Sequence, residues 1–433
     1  MQSLRVVRRF GTAHRIAAAP SIASKDTSSI ASNTSVSKRK PIKVDEPALI
    51  RLKKERDPEK LFNLFRANAH NKVVVENRFA FQDTVSRLAG AGRFDYIENL
   101  LEQQKTLPQG RREGFVVRII MLYGSAGMVK HAIDTFYNMH LYGCHRTVKS
   151  LNAALKVLTL SRDPEAIDSF LKDVSFKFSI SLDIFSINII VKAFCEMGIL
   201  DKAYLVMAEM EKLGISPDVV TYTTLISAFY RINRVEVSNG LWNLMVLKGC
   251  LPNLATFNVR IQFLVNRGRA WDANKLLDLM HRLGIAPDEI TYNLVIKGFC
   301  RAGFLDMAKR VHSSLHSNGL KSNEKIYQTM IHYLCKAGEF NLAYTMCKDS
   351  MKNNWFPSVD SIIILLEGLR RYGGLEGIEK ARFLITLAKR RVPPFSADQL
   401  KAMQSILSNS AGAESYLVHF LLEQSWTSIH SNG

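Results

Sequence analysis

The chain has 433 residues, a formal net charge of +19 and 47% hydrophobic content. That is enough apolar material for a large interior, yet no stretch approaches the roughly eighteen consecutive apolar residues of a membrane-spanning helix. So large a cationic excess excludes an acidic, self-solvating chain and points to a polyanionic partner, most simply a nucleic acid.

The first forty residues hold eight Lys/Arg (Arg5, Arg8, Arg9, Arg15, Lys25, Lys38, Arg39, Lys40) against one acid, Asp26, and are rich in Ser and Ala. Basic, hydroxylated and almost free of acids, residues 1–40 have the composition of an organellar transit peptide. They lack the long apolar core of a secretory signal. Arginines crowded at the start favour a mitochondrion over a plastid; the alternative is a disordered basic tail with no targeting role. Removing the segment takes seven of the nineteen net positive charges with it and leaves +12, so the remaining body is itself basic.

Further along, one phrase recurs every 35 residues. "PDVVTYTTLISAF" from Pro217 returns as "PNLATFNVRIQFL" from Pro252 and as "PDEITYNLVIKGF" from Pro287. A fixed period of this size predicts a solenoid, in which each unit stacks only on its neighbours. Ending the unit at Asp218, Asn253 and their equivalents sets the blocks 184–218, 219–253, 254–288, 289–323 and 324–358. Upstream, 78–112 and 113–147 keep the length and 148–183 carries one extra residue. Residues 44–77 and 359–395 read as degenerate end units and 396–433 as a helical C-terminal cap. The expected fold is all-α: a right-handed α-solenoid superhelix of about nine or ten helix-turn-helix repeats.

Within a unit the apolar spacing predicts two amphipathic helices. The first ends near a glycine at the fifteenth position (Gly198, Gly268, Gly303), and the second carries a small residue at the twentieth (Ala203, Ala273, Ala308). Cys195, Cys300 and Cys335 share the twelfth position, on the buried side of the first helix. No C-x-x-C and no Cys/His cluster with zinc spacing occurs, so these read as reduced core thiols, and no disulfide, metal or cofactor is implied.

The 35-residue period, the "V-x-T-Y-N-x-L-I" opening, the central "G-x-x-x-x-A" and the closing "G-x-x-P-D" resemble the pentatricopeptide repeat of plant organellar RNA-binding proteins. The likeness is closest to the P-type subclass, in a plant mitochondrial protein. It covers roughly 78–395 and is strongest over 184–358.

Two positions stand out on physical grounds. The fifth residue is Asn188, Thr223, Asn258 and Asn293 in successive units, and Asn and Thr are poor interior helix formers. A solenoid that repeats them at one phase presents polar groups along one edge. The thirty-fifth is Asp218, Asn253, Asp288 and Asn323, residue types that also serve as helix N-caps. The resemblance implies that each such pair hydrogen-bonds the Watson–Crick edge of one base. It implies U for Asn188 with Asp218, A for Thr223 with Asn253, U for Asn258 with Asp288, and C or U for Asn293 with Asn323. In the resembled family chain and RNA run in the same sense, giving 5′-U-A-U-(C/U)-3′. Asn152 with Asp183 adds a U before it if the extra residue leaves the phase intact. Gln328 with Ser358 and Val117 with Thr147 depart from the pattern and are assigned no base.

At the second position Phe185, Val220 and Ile290 are implied to sandwich the base, while Ala255 is smaller and should grip weakly. Arg231, Arg301 and Lys336 share the thirteenth position, either as a phosphate-facing stripe or as a solvated helix face, with Glu196 interrupting it. The fourth-position aromatics Tyr222, Phe257, Tyr292 and Tyr327 read as core, since they lie on another face of the helix.

Residues 396–433 contain no H-x-E, no cysteine and only Asp398, Glu414 and Glu423 as acids, which fits neither a zinc deaminase nor a metal nuclease. The chain is therefore read as a non-enzyme. The expected function is sequence-biased binding of single-stranded RNA on mitochondrial transcripts, by a monomer with no membrane partner. A subunit of the mitochondrial ribosome contacting rRNA and a protein–protein scaffold are the alternatives.

Overall fold

The structure is a computed structural model that describes residues 47–408. The transit-peptide reading of 1–40 and most of the C-terminal cap lie outside the described residues. These residues form 22 α-helices and no strand. The described residues divide into two compact units, with the boundary between Asn243 and Leu244.

In the first unit, α1 (Pro47–Lys54), α2 (Pro58–Ala67) and α3 (Lys72–Glu76) precede the pair α4 (Arg78–Gly90) and α5 (Phe94–Thr106). Then come α6 (Glu113–Ser125) with α7 (Val129–Tyr137), and α8 (Val148–Leu158) with α9 (Pro164–Phe178). The unit continues with α10 (Ile184–Glu196), α11 (Leu200–Lys212) and α12 (Val219–Arg231), and ends within α13 (Val235–Leu247). The second unit holds α14 (Leu254–Asn266) with α15 (Ala270–Arg282), α16 (Glu289–Arg301) with α17 (Leu305–Ser317), and α18 (Glu324–Lys336) with α19 (Phe340–Lys352). It closes with α20 (Val359–Tyr372), α21 (Gly374–Ala388) and α22 (Ala397–Ser408). Each unit is thus an all-α array of antiparallel helix pairs, the arrangement of an α-solenoid.

Local chemistry sets both ends of the first helix. Asp183, Asp218, Asn253 and Asp288 cap the N-termini of α10, α12, α14 and α16, each accepting from the backbone N–H three residues on. At the other end Gly198 and Gly303 take φ of 79° and 82°, a region that penalises a Cβ. The next N–H then donates back into the helix, Ile199 to the Phe194 carbonyl and Phe304 to that of Phe299, both at 2.9 Å. The second helix begins at once and has no side-chain cap. An acid in its first turn (Asp201, Asp272, Asp306) offsets the helix dipole instead.

Thirteen-residue helices are marginal alone, so packing supplies most of their stability. First helices stack in sequence, α6 on α8, α8 on α10 and α10 on α12 in the first unit, and α14 on α16 on α18 on α20 in the second. The twentieth-position alanines Ala203, Ala273 and Ala308 are wholly buried. A side chain on Gly298 would meet Val265 at 2.9 Å, so a glycine there permits the close approach of α16 to the preceding repeat. Tyr222, Phe257 and Tyr292 are core residues, and the Tyr292 hydroxyl accepts from Asn318 at 2.9 Å. Tyr327 is only half-buried and packs against Trp355 instead. Burial pushes the thiols of Cys195, Cys300 and Cys335 up, to about 11, 12 and 12, so they stay protonated and inert at neutral pH.

Candidate nucleic-acid interface

Because the first helices within each unit stack in a layer, the fifth residue of one repeat faces the N-cap of the next first helix. In the first unit Asn188 Nδ2 donates to Asp218 Oδ1 at 3.1 Å. A third residue, Thr221, joins them. Its Oγ1 lies 2.6 Å from Asn188 Oδ1 and 2.9 Å from Asp218 Oδ1, and its backbone N–H donates to the same Asp218 oxygen at 2.9 Å. The same triangle recurs in the second unit. Asn258 Nδ2 donates to Asp288 Oδ1 at 3.4 Å, with Thr291 Oγ1 2.7 Å from Asn258 Oδ1 and 2.8 Å from Asp288 Oδ1.

The extra residue of 148–183 does not break the arrangement. It is absorbed in the second helix, α9, which runs 15 residues where α11, α15 and α17 have 13, so the left-handed residue that ends it, Ser179, comes one position later than Gly214 or Gly284 in their repeats. Asn152 Nδ2 therefore still reaches Asp183 Oδ1 at 3.2 Å, with Ser186 Oγ 2.6 Å from Asn152 Oδ1.

These hydroxyl residues are completely buried, whereas the Asn and Asp are half-exposed. In each triangle one carboxylate oxygen takes all the internal bonds and the amide oxygen faces the hydroxyl. One amide N–H and the second carboxylate oxygen are left with no hydrogen-bond partner among the described residues, a donor and an acceptor. Sequence reasoning missed the buried Ser186, Thr221 and Thr291, although the D-x-x-[ST] spacing of a capping box signals them. Replacing Thr291 with Val should leave Asn258 Oδ1 without its donor and cost about 1 kcal/mol of stability, read by urea denaturation.

Other slots differ. Asn293 and Asn323 share no direct hydrogen bond: Thr329 Oγ1 donates to Asn293 Oδ1 at 3.1 Å, and Asn323 Oδ1 accepts from the Ile326 N–H at 3.1 Å. The third position there is the apolar Ile326, so no hydroxyl ties the pair, and neither amide N–H group has a hydrogen-bond partner among the described residues. Thr223 lies on α12 in the first unit. Asn253 caps α14 in the second, accepting from Thr256 N–H at 3.1 Å.

The slot of Val117 and Thr147 is filled from within. Glu113 Oε1 accepts from the Thr147 N–H at 2.9 Å, from Thr147 Oγ1 at 2.7 Å and from the Ser150 N–H at 3.3 Å. Burial raises the Glu113 pKa, but these bonds outweigh it and hold the carboxyl below its ordinary value.

Phe185, Val220 and Ile290 are 69%, 57% and 57% exposed, too open for core residues, and Ala255 is exposed as well. Arg231, Arg301 and Lys336 are also exposed, and each is the last residue of its helix, where a cation complements the dipole. Glu196, at the same phase, ion-pairs with Lys192 at 3.7 Å.

Among known proteins, the sequence profile of the PPR repeat family matches residues 182–231, 217–266 and 252–301, and a PPR repeat profile matches 118–144 and 290–320. A mitochondrial pentatricopeptide repeat-containing protein of Arabidopsis thaliana is 61% identical over 214 residues, 49% of this chain and 52% of that protein. Small ribosomal subunit protein mS78 of the same plant is 36% identical over 160 residues, 37% of this chain and 40% of that one. The chain thus spans about half the length, or less, of these curated relatives. The crystal structure of pentatricopeptide repeat protein PPR10 from maize aligns over 81% of this chain and 57% of that chain, at 17% identity and a TM-score of 0.47. That likeness is too loose to carry residue-level inference. The profile matches span the Asn188–Asp218 and Asn258–Asp288 pairs, and over the matched residues the chain carries pentatricopeptide repeats.

Proposed function

We propose that this protein binds single-stranded RNA in mitochondria with a sequence bias set by one side-chain pair per repeat. It would act by occupying a transcript site rather than by catalysis. The observation that carries the reading is the repeated triangle at Asn152/Asp183, Asn188/Asp218 and Asn258/Asp288, with its unpartnered donor and acceptor. Uracil offers an N3–H beside a carbonyl, which matches an acceptor beside a donor; cytosine in the same pose turns an acceptor toward the carboxylate. At Asn293/Asn323 the unpartnered N–H groups suit a base edge rich in acceptors, such as cytosine N3 and O2. Exposed Phe185, Val220 and Ile290 supply apolar contact on the base faces. The basic body supports binding to the phosphate chain, and the mitochondrial names of several relatives support the compartment.

A second reading, a ribosomal subunit contacting rRNA, is favoured by the likeness to proteins mS78 and mS79, at 36% and 35% identity. Two measurements decide. Purified protein should bind an RNA carrying U-A-U-C more tightly than a scrambled RNA of the same composition, with affinity falling as salt rises. Equal affinity for the two would sink the sequence bias. In organelle lysate, RNase-sensitive particles lighter than ribosomal subunits fit the first reading, and high-salt co-sedimentation with a subunit fits the second.

A further inference from the structure

The repeat 289–323 departs from the three before it at two positions that meet in space. Its twenty-fourth residue is His312, where those repeats have the apolar Met207, Trp242 and Leu277. Its thirty-fourth is Ser322, where they have Pro217, Pro252 and Pro287. His312 Nε2 lies 2.8 Å from Ser322 Oγ, so the two departures answer one another. His316 stands one helical turn further along α17, and its Nε2 lies 3.3 Å from the same oxygen.

Residues four apart share one face of a helix, and the two imidazole rings sit 4.8 Å apart, edge to face. Ser322 is brought back alongside them by Gly319. Its φ of 77° turns the chain at the end of α17, and the Leu320 N–H donates to the Leu315 carbonyl at 3.2 Å. One hydroxyl proton serves only one imidazole lone pair, so the second ring must turn its own N–H to the oxygen. A cation at the centre would satisfy both lone pairs at once. With bonds of about 2.0–2.1 Å to zinc, tetrahedral ligand atoms lie roughly 3.3 Å apart. The two Nε2–Oγ separations here are 2.8 and 3.3 Å. Imidazole ligates Zn²⁺, Cu²⁺ and Ni²⁺ and must be neutral to do so. Burial and the neighbouring His316 push His312 down to about 4, so its ring is neutral at physiological pH. His316 is exposed, which leaves a side open for water.

We propose that His312 and His316 chelate a divalent transition-metal ion through both Nε2 atoms, with Ser322 Oγ as the third protein ligand and water completing the shell. A search for Cys/His zinc spacing passes over this site, because its third ligand is a serine. The ion ties the end of α17 to the segment that delivers Asn323, the N-cap of α18 and one member of the Asn293/Asn323 slot. Mg²⁺, which prefers oxygen ligands, should be refused. The proposal does not depend on the RNA reading.

The test is equilibrium dialysis of the full chain against Zn²⁺, Ni²⁺, Cu²⁺ or Mg²⁺, beside His316→Ala and His312→Leu. The first variant removes an exposed side chain, and the second installs the residue type of the preceding repeat, Leu277, so both should fold. The wild type should retain one more equivalent of Zn²⁺ than either variant. Cu²⁺ should be held more tightly than Ni²⁺ or Zn²⁺, and Mg²⁺ retention should not differ. Zn²⁺ should also slow amide exchange across residues 318–324 by roughly threefold or more in the wild type and in neither variant. Equal Zn²⁺ retention by the wild type and either variant would overturn the proposal. So would zinc binding that leaves exchange across 318–324 unchanged.

Discussion

Asp288→Asn should reverse the base preference at its slot from U over C to C over U, without unfolding the repeat. The wild type should favour a uracil facing Asn258 and Asp288 by about tenfold, since a two-bond base contact is worth roughly 1–3 kcal/mol. In the variant the Asn258 amide still donates to the retained carbonyl oxygen of the new amide, but an N–H now replaces the unpartnered carboxylate oxygen. Two donors then face the RNA, which suits the N3 and O2 acceptors of cytosine. Stability should hardly change, because Asn caps helices as well as Asp does. The chain already contains such a case: Asn253 makes the equivalent bond to Thr256 N–H at 3.1 Å, close to the 2.8 Å from Thr291 N–H to Asp288. Anisotropy titrations with paired U and C RNAs measure the switch. An unchanged order of preference, with the variant still folded by circular dichroism, would mean that this pair does not read a base.

The largest loss of stability should come from Phe299→Ala. Phe299 is wholly buried at the end of α16 and meets the Trp271 ring edge-on, with centres 5.1 Å apart. Removing so large a side chain from a packed site typically costs about 3–5 kcal/mol. In a repeat array the damage should stay near its source, because each repeat is held by its neighbours alone. Amide exchange in α15–α17 should therefore accelerate strongly while α6–α10 keep their protection. Hydrogen exchange with mass spectrometry reads both regions in one experiment. Uniform acceleration along the chain would show that the repeats unfold as one cooperative body instead.

These two variants separate what the recurring residues do. Phe299 is a core residue at a position that is also Phe in two other repeats, Phe194 and Phe229, all three buried. Asp288 also recurs, yet one of its carboxylate oxygens is held by the fold and the other has no hydrogen-bond partner among the described residues. Recurrence alone cannot tell these roles apart; burial and the hydrogen-bond partners do.

Much of this protein is legible in one dimension. The 35-residue period, the Asp or Asn before each first helix and the glycines at its end are local signals. Each acts within one turn of helix, so the sequence alone sets the helix phase and the all-α class. It also puts Asn188 with Asp218, and Asn258 with Asp288, at matching phases of their repeats. The contacts that decide what those pairs can do span 30 to 37 residues and exist only once the helices stack. The Thr221 and Thr291 hydroxyls look like ordinary capping residues in sequence, and stacking turns them into the clasp that orients each Asn against its Asp. Stacking also brings Asn152 to Asp183 across a repeat one residue too long, and lets Glu113 fill the slot of Thr147. The sequence determines which side chains are available at each phase; only the packed layer of first helices decides which of their atoms remain open to a ligand.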